Sequence, residues 1–476
     1  MMNRNPVLGT PLVTPLDARF TPEHVFARLA HIPHVLWLDS ARHDDTLGRY
    51  SFLMADPVEV IQAGPLQMET ALARLSELER TFQLARIADL PPFQGGAAGY
   101  FSYDLNRAFE KVSEARFNEF HLPLISFGIY DWVAAWDHAQ GKGWLFSTGF
   151  PEVDSDKREA RAKTRADEIL ARVERDAQFC KEVESGRIVP ASELAPCFAC
   201  PEFPGVMSNF PKEDYLEVVR RSVEYIHAGD IFQVNLSQRL IAEARSSSPE
   251  LYLKLRKKNP APFAGYYDFG MGQIVSASPE RFISVRDRTI ESRPIKGTRR
   301  RSGRPELDMF WGDELIRSEK DRAENVMIVD LLRNDLSRIC DPPSVEVTSL
   351  CGLETYQTVQ HLVSIIVGKL SPDVGIRDIL QAIFPGGSIT GAPKIRAMEI
   401  ISELEPTARG PYCGSLGYFG FDGSIDWNIL IRTVIASAGW WQFPVGGGIV
   451  ADSDPLREYE ETWHKAMGLL HAVLDE

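Results

Sequence analysis

Short apolar runs of strand length, each cut off by turn residues, recur along this chain and argue against a mainly helical fold. "HVLWLDSA", "RYSFLMADP" and "GGAAGYFSYDL" in the N-terminal part, and "GQIVSAS" and "RFISVRD" further on, are each only a few residues long. Runs of that length, bounded by glycine, proline or aspartate, read as β-strands. A parallel sheet would need a crossover helix between successive strands, and no such alternation is evident. The C-terminal part mixes its strands with strongly amphipathic helices, so the expected class is α+β rather than doubly wound α/β.

A chain of 476 residues with 44% hydrophobic content can bury a large core. The charged stretch from residue 154 to 186 reads as a surface helix, and the four prolines of "RIVPASELAPCFACPEFPGV" read as a linker. The expected division is an N-terminal region over 1–185, a linker over 186–210 and a catalytic region over 211–476. With 52 Lys and Arg against 66 Asp and Glu the formal charge is −14, which repels a phosphate backbone and excludes a nucleic-acid partner. No apolar run approaches the roughly 20 residues that cross a bilayer, and the N-terminus lacks the apolar segment of a signal peptide. A cytoplasmic protein with reduced thiols is expected from its six cysteines.

Chemistry gathers at a few places. "ESRPIKGTRRR" sets Lys296 among arginines; neighbouring cations disfavour the ammonium form and would make a partly desolvated lysine a nucleophile near neutral pH. Asp321 and Glu324 are three apart and share a helical face, as do Glu458 and Glu461 in the last helix, which Asp454 caps and Pro455 opens. Oxygen donors without a His or Cys cluster suit magnesium better than zinc. Two glycine-rich loops supply the anion side. "FPGGSITGAPKIRAMEI" contains Gly391 and runs into a helix near Pro393, whose free N–H groups are suited to a carboxylate. It is not a nucleotide loop, because Ala392 stands where lysine is required. "VGGGIVADSDP" brings Gly447 and Gly448 up to the helix bearing Glu458 and Glu461.

Taken in order, "GDIFQVNLSQR", "SPERFISV", "RPIKGTRR", "DRAENVMIVDLLRND", "QHLVS", "GGSITGAPK", "GYFGFDGSIDWNILIRT" and "VGGGIVADSDPLREYEET" resemble the chorismate-utilising enzymes related to anthranilate synthase. The resemblance implies a large, mostly antiparallel β-sandwich-like core surrounded by helices, with chorismate as substrate and Mg2+ as cofactor. Within the family, anthranilate synthase-like chains have alanine where this one reads "PIKGT". Lys296 therefore looks like the nucleophile of the aminodeoxychorismate synthase branch, with Glu280 as the acid that protonates the departing hydroxyl. Anthranilate synthesis and a non-catalytic chorismate-binding homologue stand as alternatives.

By the same resemblance Glu324 and Glu461 match metal ligands, with Glu458 and Asp321 as their partners. Arg432 and Tyr412 match contacts to a substrate carboxylate, His361 a residue near the ring, and Gly391, Gly447 and Gly448 the substrate-binding loops. Gln233 stands where isochorismate and salicylate synthases place a lysine, and an amide cannot act as that base. No "GxCxG" elbow is present, so ammonia is expected from a separate glutamine amidotransferase subunit. "WLDSA" resembles a family segment lining a tryptophan pocket, with Asp39 in place of glutamate.

Overall fold

The computed structural model describes residues 9–42, 47–175, 188–356 and 359–474. Two β-sheets form the body, one of 13 strands and one of 10. Every pairing between their described strands is antiparallel, and helices lie around them, as an α+β sandwich requires. The apolar runs form strands where expected, over Leu36–Asp39, Tyr50–Met54, Gly96–Phe101, Gln273–Ser278 and Arg281–Arg286.

Both sheets are seamed from distant parts of the chain. In the larger, Leu36–Asp39 pairs with Phe263–Asp268; in the smaller, Gly96–Phe101 pairs with Ser415–Gly420. Side chains from the two sheets meet in an aromatic layer that includes Phe52, Tyr100, Tyr267 and Tyr418, with Phe93 stacked on Tyr418 at 4.3 Å. Burying each such ring is worth roughly 1.5–3 kcal/mol, so the layer locks N-terminal strands to C-terminal ones.

The described part of the stretch read as a linker does more than connect. Val206–Ser208 adds to the edge of the larger sheet, and Phe198–Ala199 pairs with it in turn. Such short strands lack a detectable alternation, and an edge tolerates prolines that a central strand does not. The charged helix spans Ser155–Glu174 and buries Ala162, Ala166, Ile169 and Val173 along one stripe. Among the described residues no helix is long and apolar enough to cross a membrane.

Seven elements position the site. They are β1 (Gln233–Glu243), β2 (Ile295–Arg300), β3 (Val359–Lys369) and β4 (Trp440–Ile449), with helices α1 (Glu319–Ser337), α2 (Lys394–Leu404) and α3 (Pro455–Val473). Ser318 separates α1 from a preceding helix over Pro305–Arg317, and its side chain accepts from the Asp321 N–H as an N-cap. Asp454 caps α3 in the same way through the Arg457 N–H, with Pro455 in the first turn.

Candidate active site

A cavity of about 730 Å³ opens where β1, β4 and β2 approach α1 and α3. Lys296 reaches it from β2. That strand pairs with β3, but the register shifts between Lys296 and Thr298, and Gly297 at the shift has φ +76°. Such a bulge re-aims the neighbouring side chain. A Cβ on Gly297 would also lie 2.8 Å from Leu315 and 3.0 Å from Asp321, so glycine lets the strand pass close to α1.

The Lys296 amine points toward the Ser388 carbonyl, 3.5 Å away. Burial pulls its proton affinity below the ordinary lysine value, against the pull of Glu324 and Glu280, and Lys465 adds to the lowering. The expected cause was the arginine cluster, and the structure corrects it. Arg299 is engaged with Glu314 at 2.6 Å and Asp321 at 3.3 Å, Arg301 with Asp308 at 3.0 Å, and Arg293 with Glu354. These three arginines are each paired with a carboxylate, and desolvation is the largest cause of the lowered amine.

Glu280 lines the same cavity at 8% exposure. Burial pushes its carboxyl up to about 7, even though Lys296 and a hydrogen bond from the Ser388 hydroxyl, at 3.2 Å, favour the anion. The adjacent Arg281 is not its partner; that guanidinium pairs with Asp426 at 2.9 Å. An amine held low and a carboxylic acid held high therefore face one space.

All four acids read as a cation site line this cavity. Glu324 is raised by burial, and Glu458 likewise, with nearby Glu461 adding repulsion while Ser453 donates to Glu458 at 2.6 Å. Burial also pushes Glu461 up, but Lys465 at 2.7 Å overcomes it and leaves that carboxyl below its usual range. Among the described residues no group of three or more potential ligands is gathered closely enough to hold a metal. The donor chemistry nevertheless suits a hard divalent cation, because the four acids offer oxygen only and line one cavity.

His361 on β3 is fixed by Thr298, whose hydroxyl lies 2.9 Å from Nδ1. Burial pushes the ring down to about 4, so it is neutral at physiological pH, and Arg42 and Arg432 lower it further. Both guanidiniums line this end of the cavity. Arg432 holds a left-handed backbone, φ 50°, at a cost of roughly 1–2 kcal/mol for a residue with a Cβ. Tyr412 lies in the same wall.

The glycine loops divide. Gly447 and Gly448 on β4 line the cavity, and a Cβ on Gly448 would fall 2.2 Å from the Gln233 amide nitrogen. Gly391 is different: with φ +144° it pairs against β1, its missing Cβ 2.2 Å from the Gln233 carbonyl, and it forms no part of the cavity wall. Nor does the start of α2 at Pro393. The turn over Gly387–Ile389 contributes Ser388 and Ile389 instead.

Several lining residues escaped the sequence reading. Arg409 is 5% exposed, pairs with Glu405 at 2.7 Å, and donates to the Asn235 carbonyl at 2.7 Å and the Ile389 carbonyl at 3.2 Å. It ties β1, the 387–389 turn and the Tyr412 loop into one wall. Its spacing of four from Glu405 was the available signal, as was that of Lys465 from Glu461. Arg42 arrives from the N-terminal part with no motif to mark it. A second cavity of about 170 Å³ includes Asp39, but that carboxylate already accepts from Ser51 at 3.0 Å, Tyr252 at 2.9 Å and Arg256 at 2.6 Å.

A family model described as chorismate binding enzyme matches residues 33–471. The chain is 38% identical to the aminodeoxychorismate synthase component 1 of Salmonella typhimurium, over 95% of each chain. It is 40% identical to the anthranilate synthase component 1 of Thermus thermophilus, over 89% of this chain and 87% of that one. The crystal structure of anthranilate synthase component I from Streptococcus pneumoniae superposes with a TM-score of 0.75 at 29% identity, covering 89% of this chain and 92% of that one. The chain belongs to the chorismate binding enzyme family. Overall identity does not choose between the branches, since relatives from both are equally close; the residues in the cavity must.

The geometry makes a prediction about Lys296 independent of turnover. Its reactivity toward acetic anhydride, followed with pH by peptide mass spectrometry, should report a pKa below that of an ordinary lysine. Glu324→Gln should lower it further, because the carboxylate favours the ammonium form. A titration at the ordinary lysine value would contradict the assigned burial.

Proposed function

We propose that this chain is the chorismate-aminating component of an aminodeoxychorismate synthase, and that it works through a covalent adduct on Lys296. The observation that carries the reading is the meeting of Lys296 and Glu280 in one cavity, the amine shifted toward its free base and the acid toward its protonated form. The neutral amine attacks C2 of the ring. The two ring double bonds shift and the C4 hydroxyl leaves with the Glu280 proton as water. Ammonia then attacks C4, the double bonds shift back, and the Lys296 amine is expelled from C2 while Glu280 recovers a proton. A covalent step divides one difficult substitution into two easier ones, and a carboxylic acid near pKa 7 serves as a general acid at physiological pH.

The substrate carries two carboxylates, and the cavity lining offers a group suited to each. Arg432, with Arg42 beside it, suits one. Glu324 and Glu461, with Glu458 and Asp321 behind them, would hold magnesium at the other. When bound, that ion neutralises the ring carboxylate and lets an acidic protein accept an acid. Ammonia would come from a second component, a glutamine amidotransferase; the relatives' shared designation as component 1 supports such a partner. Anthranilate synthesis remains the second reading, favoured by the equally close relatives of that branch.

Lys296→Ala should abolish aminodeoxychorismate formation from chorismate and ammonium, by roughly a thousandfold or more, about 4 kcal/mol of transition-state stabilisation. The fold and magnesium affinity should be unchanged. Full retention of activity, with the product identified by mass, would falsify covalent catalysis by this residue.

Glu324→Gln and Glu461→Gln should each weaken magnesium and chorismate binding together, as titration calorimetry would read, while the melting temperature without metal hardly moves. Unaltered magnesium dependence of turnover in both variants would remove the acids from the cation site.

A further inference from the structure

We propose that Ser388 is a positioning residue for the acid step, an inference that rests on the amination reading above: its hydroxyl selects which oxygen of Glu280 carries the proton, and its carbonyl aims the Lys296 amine. The hydroxyl donates to Glu280 Oε1 at 3.2 Å, and the carbonyl of the same residue accepts from Lys296 Nζ at 3.5 Å. One residue therefore touches both groups of the covalent step. A protonated carboxyl accepts far better through its carbonyl oxygen than through its hydroxyl oxygen, so a donor at Oε1 leaves the proton on Oε2. The Oε2–H bond is then the one that breaks. Its proton goes to the departing C4 oxygen, which leaves as water, and its electron pair stays on the carboxylate. The Ser388 hydroxyl keeps donating to that new anion and stabilises it.

The turn over Gly387–Ile389 holds this residue still. The Gly386 carbonyl accepts from the Ile389 N–H at 3.3 Å and from the Thr390 hydroxyl at 3.0 Å. The Ile389 carbonyl accepts from Arg409 at 3.2 Å, and the Thr390 carbonyl from the Asn235 N–H on β1 at 2.8 Å. Gly387 lies so close to α1 that a Cβ there would fall 2.3 Å from Leu331. Neighbouring carbonyls are thus engaged by backbone and side-chain donors of the fold, while that of Ser388 meets the amine in the cavity. The Glu280 backbone is anchored as well, its N–H donating to the Ser278 hydroxyl at 3.3 Å and its carbonyl accepting from the Ile429 N–H at 3.0 Å. With both backbones fixed, the Ser388 hydroxyl restrains the remaining freedom, rotation of the carboxyl about its last bond. The other groups that act on Glu280 are the Ile295 N–H, Lys296 on β2 and the Cys413 thiol. Tyr412, Arg409, Glu324, Glu461 and Lys465 share the cavity lining, and a change at Ser388 leaves all of these groups chemically intact.

The test uses the full chain and its Ser388→Ala and Ser388→Thr variants, with Glu280→Gln serving to assign the infrared band of the protonated Glu280 carboxyl. In Ser388→Ala the C=O stretch should move to higher wavenumber, because its donor is gone. The band should also titrate at higher pH than the unmodified chain's value of about 7, because the carboxylate has lost a hydrogen bond. Chorismate affinity should be unchanged. Formation of the Lys296 adduct without ammonia, timed by rapid quenching and peptide mass spectrometry, should slow about tenfold or more, as for a misaimed catalytic group. Ser388→Thr keeps the hydroxyl and should restore band position, titration and rate. A serine that only shaped the turn would move neither the band nor its titration, so an unmoved band in Ser388→Ala overturns the assignment. A Ser388→Thr variant that stays slow with a normal band overturns it too. If the unmodified chain forms no adduct with chorismate and magnesium, the amination reading itself fails; that is seen before any variant is compared, and the infrared band still decides whether Ser388 holds the acid.

Discussion

Desolvation of one amine and one carboxyl in a shared cavity is the constraint around which this site is organised. Burial destabilises the charged form of each, moving Lys296 down and Glu280 up to about 7, so the proton sits on the oxygen more readily than it would in water. The fold supplies that environment through backbone detail. A glycine bulge at 297 turns Lys296 inward beside α1, and the glycines of β4 let the strand run close to β1 beneath the Gln233 amide.

Charged side chains of both signs line the cavity. Arg42 and Arg432 lie toward His361, which burial keeps neutral, while four carboxylates gather on α1 and α3 with Lys465 among them. Arg299 and Arg301 serve elsewhere: Arg299 braces α1 and the helix before it through Asp321 and Glu314, and Arg301 pairs with Asp308. Arg409 does comparable work beneath the floor, where its pairing with Glu405 satisfies a buried guanidinium and fixes three backbone segments at once. Removing one partner of such a pair leaves an uncompensated charge, costing roughly 3–5 kcal/mol.

How much of this was legible in the sequence depended on whether the signal was local. Strand-length apolar runs, the Asp454 cap and the carboxylate pairs at helical spacing are properties of a few adjacent residues, and each was found in place. Cause and context were not legible. "RPIKGTRR" announced an unusual lysine but suggested cations as the reason, since burial cannot be read from neighbours in the chain. Gly391 looked like part of a ligand loop, whereas its glycine character serves close packing on β1. Arg42 enters the cavity only because the two sheets are seamed across distant segments, with the Arg42 N–H bonded to the Ala261 carbonyl at 3.2 Å. The edge strands within 188–210 were hidden by prolines that edges tolerate.

Covalent participation of Lys296 separates this account from every reading that uses the same cavity without it. The most direct measurement is peptide mass spectrometry after incubating the chain with chorismate and magnesium in the absence of ammonia, followed by rapid acid quenching. The account predicts a mass increase equal to chorismate less water on the peptide bearing Lys296, which disappears when ammonium is added before the quench. An unmodified Lys296 peptide, in a preparation that converts chorismate to aminodeoxychorismate as soon as ammonium is supplied, would contradict it.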